Sequence, residues 1–238
     1  MATHKVYVEN LGCAKNQVDA EVMISSLKED GYINVETADE ATIIIVNTCG
    51  FIESAREESI DTFFALKNSY PEKKILFTGC LAQRYAKELD TDLVEADAIF
   101  GNRDLGTINS VVRKGVSGER VIEVPEYPVV EQDYDSRGKL FNYPGSAYLK
   151  ISEGCNHRCR YCAIPLIRGS LRSRPEASIY EDVKHLVASN VKEINIIAQD
   201  LAAYGTDREG GDSAFLPLLE NIALIEGDFS IRLLYIHP

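Results

Sequence analysis

Short apolar runs and longer stretches with helical spacing follow one another along almost the whole chain. Residues 5–11 read as a strand, and residues 17–30 place Val18, Met23, Ile24 and Leu27 on one helical stripe that ends at Gly31. Residues 42–47 form a continuous apolar run suited to a parallel strand buried on both faces, and residues 53–68 a long helix with Ile60, Phe63, Phe64 and Leu66 inside. A third strand over 74–78 leads to a helix over 81–89, and a short fourth strand over 98–100 to a helix over 105–114. Strand and helix in steady alternation predict an open α/β sheet with parallel strands, filling residues 1–118.

The composition shifts between residues 115 and 145, where Gly115, Gly118, Pro125, Pro128, Gly138, Pro144 and Gly145 punctuate an acidic stretch. Residues 119–145 therefore read as a connecting segment with a short strand near Val121. A second domain occupies 146–238: a strand over 147–151, a helix over 179–189, a strand over 193–198, a helix over 215–225 and a strand over 230–236. That order is the beginning of a (βα) barrel, and three strands cannot close one. The expectation is the first half of a partial barrel, in a chain that stops short of its full length.

Charge and hydropathy narrow the classes. The longest apolar runs, such as Ile43 to Val46 and Ile194 to Ala198, are far too short to span a bilayer, so no membrane role is expected and a cytoplasmic protein is. The formal net charge of −12 argues against a nonspecific nucleic-acid binder and favours a basic protein partner. One stretch runs against that balance. Residues 155–175 hold Arg158, Arg160, Arg168, Arg172 and Arg174 without an acid, as either a solvated loop or a local sink for anionic groups.

Six cysteines fall in two groups of three. Cys155, Cys159 and Cys162 lie within eight residues, a compact set of three thiolates that leaves the fourth metal of an inorganic cube without a protein ligand. Structural zinc takes four ligands, and His157, between the first two cysteines, is too close in sequence to fold back onto the same ion. Disulfides suit an oxidising compartment, yet the N-terminus opens directly into a strand with no apolar signal segment. Cys13, Cys49 and Cys80 each follow a predicted strand and each neighbour a glycine. In an open α/β sheet the functional crevice lies beyond the carboxyl ends of the strands, so these three thiols should converge on one edge as a second set of three. Unrelated buried thiols are the alternative there.

With both triads placed, the chain resembles the methylthiotransferase family of radical S-adenosylmethionine (SAM) enzymes. The resemblance spans nearly the whole sequence and rests on Leu11 to Asn16, Asn47 to Ile52, Ile151 to Cys159, and Ile164-Pro165 through Arg168-Gly169 to Pro175. Within the family the likeness is to members that methylthiolate an aspartate of ribosomal protein S twelve. The relatives acting on tRNA usually show Gln-Met after the first cysteine, where this chain has Ala14-Lys15. The departures are Ala20, Leu201 and Ala202, where Ser, Thr and Ser are usual, and the absent remainder of the barrel and its β-barrel TRAM domain.

The resemblance implies two 4Fe-4S clusters. One, on Cys155, Cys159 and Cys162, would bind SAM at its open iron and cleave it to a radical; the other, on Cys13, Cys49 and Cys80, would present sulfur for insertion, a second SAM supplying the methyl group. It implies a reductant such as flavodoxin and a monomeric enzyme. Tyr161 would pack near the adenine or the cluster, with plain loop packing as the rival. Gln199 and Asp200, ending a barrel strand on the active face, would bind cofactor or substrate, with loop capping as the rival. A tRNA methylthiotransferase and a non-catalytic iron-sulfur fragment remain as other classes.

Overall fold

A computed structural model of the chain describes residues 4–129, 137, 140–142 and 144–236. The chain divides into two compact units, Met1–Gln132 and Asp133–Pro238. Among the described residues no helix is long and apolar enough to cross a membrane.

The first unit is a parallel sheet wrapped by helices. In chain order it contains β1 (Lys5–Asn10), α1 (Ala14–Glu29), β2 (Ile33–Asn34), β3 (Ile43–Thr48), α2 (Glu53–Ser69), β4 (Lys74–Gly79), α3 (Cys80–Arg84), α4 (Ala86–Asp92), β5 (Ala98–Phe100), α5 (Ile108–Val116) and β6 (Val121–Glu123). The strands lie in the order β2-β1-β3-β4-β5-β6, and every pair is parallel. All six residues of β3 are buried, as its unbroken apolar run requires of a central strand covered on both faces. Because the order reverses between β1 and β3, a crevice opens beyond their carboxyl ends. The register aligns those ends in one row: Asn10 opposite Asn47, Asn47 opposite Thr78, Thr78 opposite Phe100.

Four elements differ from the sequence expectation, among them the two-residue edge strand β2, which it did not contain. β6, expected inside the connecting segment, hydrogen-bonds to β5 as the edge strand of this sheet. The single helix expected over 81–89 is two, broken at Tyr85, whose φ of −125° and ψ of 34° are not helical. The break lets α3 start at buried Cys80 while α4 turns Leu89, and Leu93 beyond it, onto the core of Ile75, Phe77 and Ile99. Arg56 and Arg84 stack their guanidinium groups on the Tyr85 ring at 4.4 and 4.9 Å. Helix α1 begins three residues earlier than expected, because Lys15 and Asn16 are buried polar residues that an apolar stripe does not reveal.

The second unit contains β7 (Ser146–Lys150), β8 (Ser152–Glu153), α6 (Ile164–Arg168), β9 (Arg172–Ser173), α7 (Glu176–Ala188), β10 (Glu193–Ile197), α8 (Phe215–Ala223) and β11 (Ser230–Leu233). A three-stranded parallel sheet, β11-β10-β7, packs against α7 and α8 around Leu149, Ile151, Ile179, Val183, Ile194, Ile196, Leu218 and Ile222. This is the expected opening of a (βα) barrel. Pro175 sets the start of α7 three residues before the expected one. β11 ends at Leu233, short of the expected 236, where the backbone turns through Tyr235 at a φ of +71°. The antiparallel β8–β9 pair had no counterpart in the sequence reading. It closes the base of the cysteine loop.

Candidate metal centres

The first triad sits on the carboxyl edge of the six-stranded sheet. Cys13 precedes α1 as its N-cap, Cys49 follows β3, and Cys80 opens α3 directly after β4. Two of the three strands that deliver them, β1 and β3, flank the reversal in strand order. Cys13 is exposed, Cys49 half-buried and Cys80 buried.

Asparagine amides tie the loops together. Asn16 Nδ2 donates to the Thr48 carbonyl at 2.7 Å, and Asn47 Nδ2 donates to the Asn16 carbonyl and to Asn10 Oδ1, both at 2.8 Å. The Cys80 thiol donates to Asn16 Oδ1 at 3.1 Å, and Asn102 Nδ2 donates to the Cys80 sulfur at 3.4 Å. The Cys49 N–H donates to Ser59 Oγ at 3.2 Å, fixing that loop to α2. Gly79 has a φ of +95°, and a Cβ there would stand 2.6 Å from Asn47 Oδ1, so only glycine lets β4 turn so close to the β3 loop.

The second triad lies on a loop pinned at both ends. Glu153, just before it, receives two hydrogen bonds from Arg168 Nη1 at 3.0 and 3.2 Å. Lys150 Nζ, fully buried, pairs with the same carboxylate. Burial alone raises the Glu153 pKa, but the charges of Arg168 and Lys150 outweigh it and hold the carboxyl at about 2. The Cys155 N–H donates to the Gly169 carbonyl at 3.2 Å, and the Leu171 N–H to Asn156 Oδ1 at 3.0 Å. Gly154 has a φ of +72°, and a Cβ would fall inside the Ser170 carbonyl oxygen.

Within this loop the Cys162 N–H donates to the Cys159 carbonyl at 3.0 Å, and the Ile164 N–H points at the Cys162 sulfur at 3.5 Å. The Cys155 thiol is pushed up chiefly by burial; the His157 N–H opposes that, and negative charge at Cys162, Asp200 and Cys159 adds to it. The three sulfurs therefore lie within electrostatic reach of one another. Three of the five arginines in the stretch serve the fold. Arg168 holds Glu153, Arg174 holds Asp182 at 3.1 Å, and Arg172 donates to the Arg168 and Ser170 carbonyls at 3.0 and 2.7 Å. Arg158 and Arg160 are exposed, so any anionic sink is narrowed to them.

Beyond the carboxyl end of β10, Gln199 keeps both its amide nitrogen and its amide oxygen buried and without a hydrogen-bond partner. Asp200 Oδ1 accepts from the Ala202 N–H at 3.1 Å, capping a short 3-10 turn, while Oδ2 lies 3.1 Å from His157 Nε2. That contact joins the cysteine loop to β10. Tyr161 is 88% exposed.

Comparison with known proteins places these features in a family. Residues 5–101 match the uncharacterized protein family UPF0004, and residues 149–231 match the radical SAM superfamily. The ribosomal protein uS12 methylthiotransferase RimO of Treponema denticola is 46% identical over 95% of this chain, and that of Heliobacterium modesticaldum 42% identical over 99%. The two parts of the chain thus match these two families in turn, and nearly its whole length is similar to the RimO proteins. The chain spans about half the length of these relatives, 52% in both cases. Among solved structures, the radical SAM methyltransferase TsrM of Kitasatospora setae, with cobalamin and a [4Fe-4S] cluster bound, aligns with a TM-score of 0.59 at 12% identity over 92% of this chain. The cobalamin-dependent radical SAM enzyme OxsB aligns at 0.56 and 14% over 97%. At those identities the likeness is one of fold.

The residues fit the clusters that a methylthiotransferase uses. Each unit offers three thiols, a donor set suited to soft iron-sulfur cores. Among the described residues no three Cys, His, Asp or Glu side chains surround a single metal-ion position. Among the described residues the Gln199 amide is a buried donor and acceptor without a hydrogen-bond partner.

Proposed function

We propose that this chain carries both cluster-binding units of a methylthiotransferase that modifies an aspartate side chain of ribosomal protein uS12. In this reading Cys155, Cys159 and Cys162 hold one 4Fe-4S cluster, Cys13, Cys49 and Cys80 hold a second, and SAM binds beside the first. The observation that carries it is the doubling: three thiols follow the carboxyl ends of parallel strands in the first unit and three lie on one loop after β8 in the second, each time three ligands for four irons. A cluster with a free iron supplies the electron that cleaves a bound sulfonium, chemistry that belongs to the cofactor.

The chain's own residues hold and orient. The Lys150–Glu153–Arg168 cluster fixes the ends of the cysteine loop, and the His157–Asp200 contact fixes its middle against β10. The Gln199 amide offers hydrogen bonds to the polar end of a ligand, and exposed Tyr161 offers a ring face. The substrate assignment is supported by the relatives named for uS12 and by the net charge of −12, which favours a basic protein over nucleic acid.

Anaerobic reconstitution should load about eight irons per chain, and changing Cys155, Cys159 and Cys162 together to Ala should leave about four. Full iron in that triple variant would remove the loop from the reading. For the substrate, the completed enzyme should add about 46 Da to an aspartate-bearing peptide of uS12, the mass of SCH₃ replacing H. A knockout that loses methylthio groups from tRNA while uS12 is unaffected would overturn that assignment.

A further inference from the structure

The row of aligned strand ends holds a fourth position. Two residues beyond Asn47 comes Cys49, two beyond Thr78 comes Cys80, and two beyond Phe100 comes Asn102. β5 thus delivers an asparagine to the place where its neighbours deliver cysteines. Asn102 is buried, 5% exposed, and its Nδ2 donates to the Cys80 sulfur at 3.4 Å. Its backbone is held as well: the Asn102 N–H donates to Gln83 Oε1 at 3.0 Å, and Gln83 Nε2 donates to the Pro125 carbonyl at 3.0 Å.

We propose that Asn102 is a positioning residue for the Cys13–Cys49–Cys80 centre, donating an N–H···S hydrogen bond to the Cys80 sulfur that weakens its electron donation to iron. The proposal rests on the reading of that triad as a cluster site. Two buried amides face Cys80 in opposite senses. Asn16 Oδ1 accepts from the thiol, a bond that vanishes when the sulfur gives up its proton to bind metal. Asn102 Nδ2 is a donor, which suits thiol and thiolate alike and strengthens toward the anion. Hydrogen bonds to cluster sulfurs are among the levers that set reduction potential, since drawing density from sulfur favours the reduced, more negative cluster. Among the described residues the buried Asn102 Oδ1 atom has no hydrogen-bond partner, so the bond to Cys80 is the one its side chain makes.

The test uses the full chain with Cys155, Cys159 and Cys162 changed to Ala, so that one centre remains. Asn102→Leu removes the donor at similar size, Asn102→Gln keeps a donor, and Asn102→Asp presents an acceptor. With iron retained, Asn102→Leu should move the midpoint potential to a more negative value and the Fe–S(Cys) stretching bands in resonance Raman to higher frequency. Asn102→Gln should recover part of both shifts. Should Asn102→Leu fail to load, loading by Asn102→Gln but not by Asn102→Asp still supports the donor. Equal loss in all three, or iron retained with unchanged potential and Raman bands, overturns the proposal. Cys80→Ala in the same background separates the two questions: if it keeps its iron, the triad reading fails first.

Discussion

Replacing Glu153 by Gln removes the carboxylate that buried Lys150 and Arg168 share. The side chains of Lys150 and Arg168 are 0% and 3% exposed, and that of Glu153 is 10% exposed. Breaking a buried pair by removing its anion costs about 3 to 5 kcal/mol. The depressed Glu153 pKa points the same way, since the fold favours the charged carboxylate at neutral pH. Arg168→Met should cost less, about 2 kcal/mol, because Lys150 still neutralises the carboxylate while two hydrogen bonds are lost. The folded pKa is depressed, so the contribution is complete above pH 4.5 and is lost as pH falls toward 2. Urea titration of the iron-free chain by circular dichroism, with hydrogen exchange on β7 and α7 peptides assigning the transition to the second unit, measures both. The expected order at pH 7 is Glu153→Gln worse than Arg168→Met, with the gap between Glu153→Gln and wild type closing below pH 4.5. If Arg168→Met costs as much as Glu153→Gln, or if both lie within about 0.5 kcal/mol of wild type, the buried-charge argument is wrong.

Gly154→Ala should lower stability of the second unit by about 2 kcal/mol or more, read as a drop in Tm, since an L side chain is strained at a φ of +72° and has no room beside the Ser170 carbonyl. An unchanged Tm would mean the loop relaxes freely. Cys49→Ala in the full-length protein should still consume SAM under reduction but give no methylthio product, measured by nucleoside release and peptide mass; normal product would remove the first triad from the reaction. Gln199→Leu should weaken SAM binding to the iron-loaded protein without changing iron content, by equilibrium dialysis, because it deletes the unpartnered amide. Equal affinity would assign that amide elsewhere.

Periodicity exposed the elements whose burial is continuous. β3 and β10 are apolar runs with nearly every residue inside, and the alternation of strand and helix allowed no other class than parallel α/β. It failed where polar residues are buried or elements are short. Lys15 and Asn16 disguised the first turn of α1, two-residue β8 and β9 are below any period, and the five-residue α6 begins at Ile164-Pro165 inside a loop. The six cysteines were legible through spacing and strand ends. The side chains around them were not, because Asn10, Asn47, Asn102 and Glu153 look like ordinary polar residues until the register brings them into contact.

That register explains how one site can be drawn from such distant residues. A parallel sheet with aligned carboxyl ends turns each strand-to-helix loop into a neighbour of the next, so a ligand needs only a fixed offset from its strand end. Cys49 and Cys80 share that offset, and Cys13 stands one residue further from Asn10 because it caps α1 rather than entering it. The second unit solves the same problem with a single loop, and there the ends must be closed by other means. β8–β9 pairing and the Glu153–Arg168 bridge do so, which is why that loop contains a buried ion pair while the first centre relies on neutral amides. The distinction has a chemical consequence. Lys150 and Arg168 share the Glu153 carboxylate at the base of the second triad, and the Asn16 and Asn102 amides bring dipoles to Cys80 in the first. A fixed charge acts on a reduced, more negative centre over a longer range than a single amide dipole does. On that account the Cys155–Cys159–Cys162 centre should be the more sensitive of the two to charge substitutions at its base, and the Cys13–Cys49–Cys80 centre to loss of single hydrogen bonds.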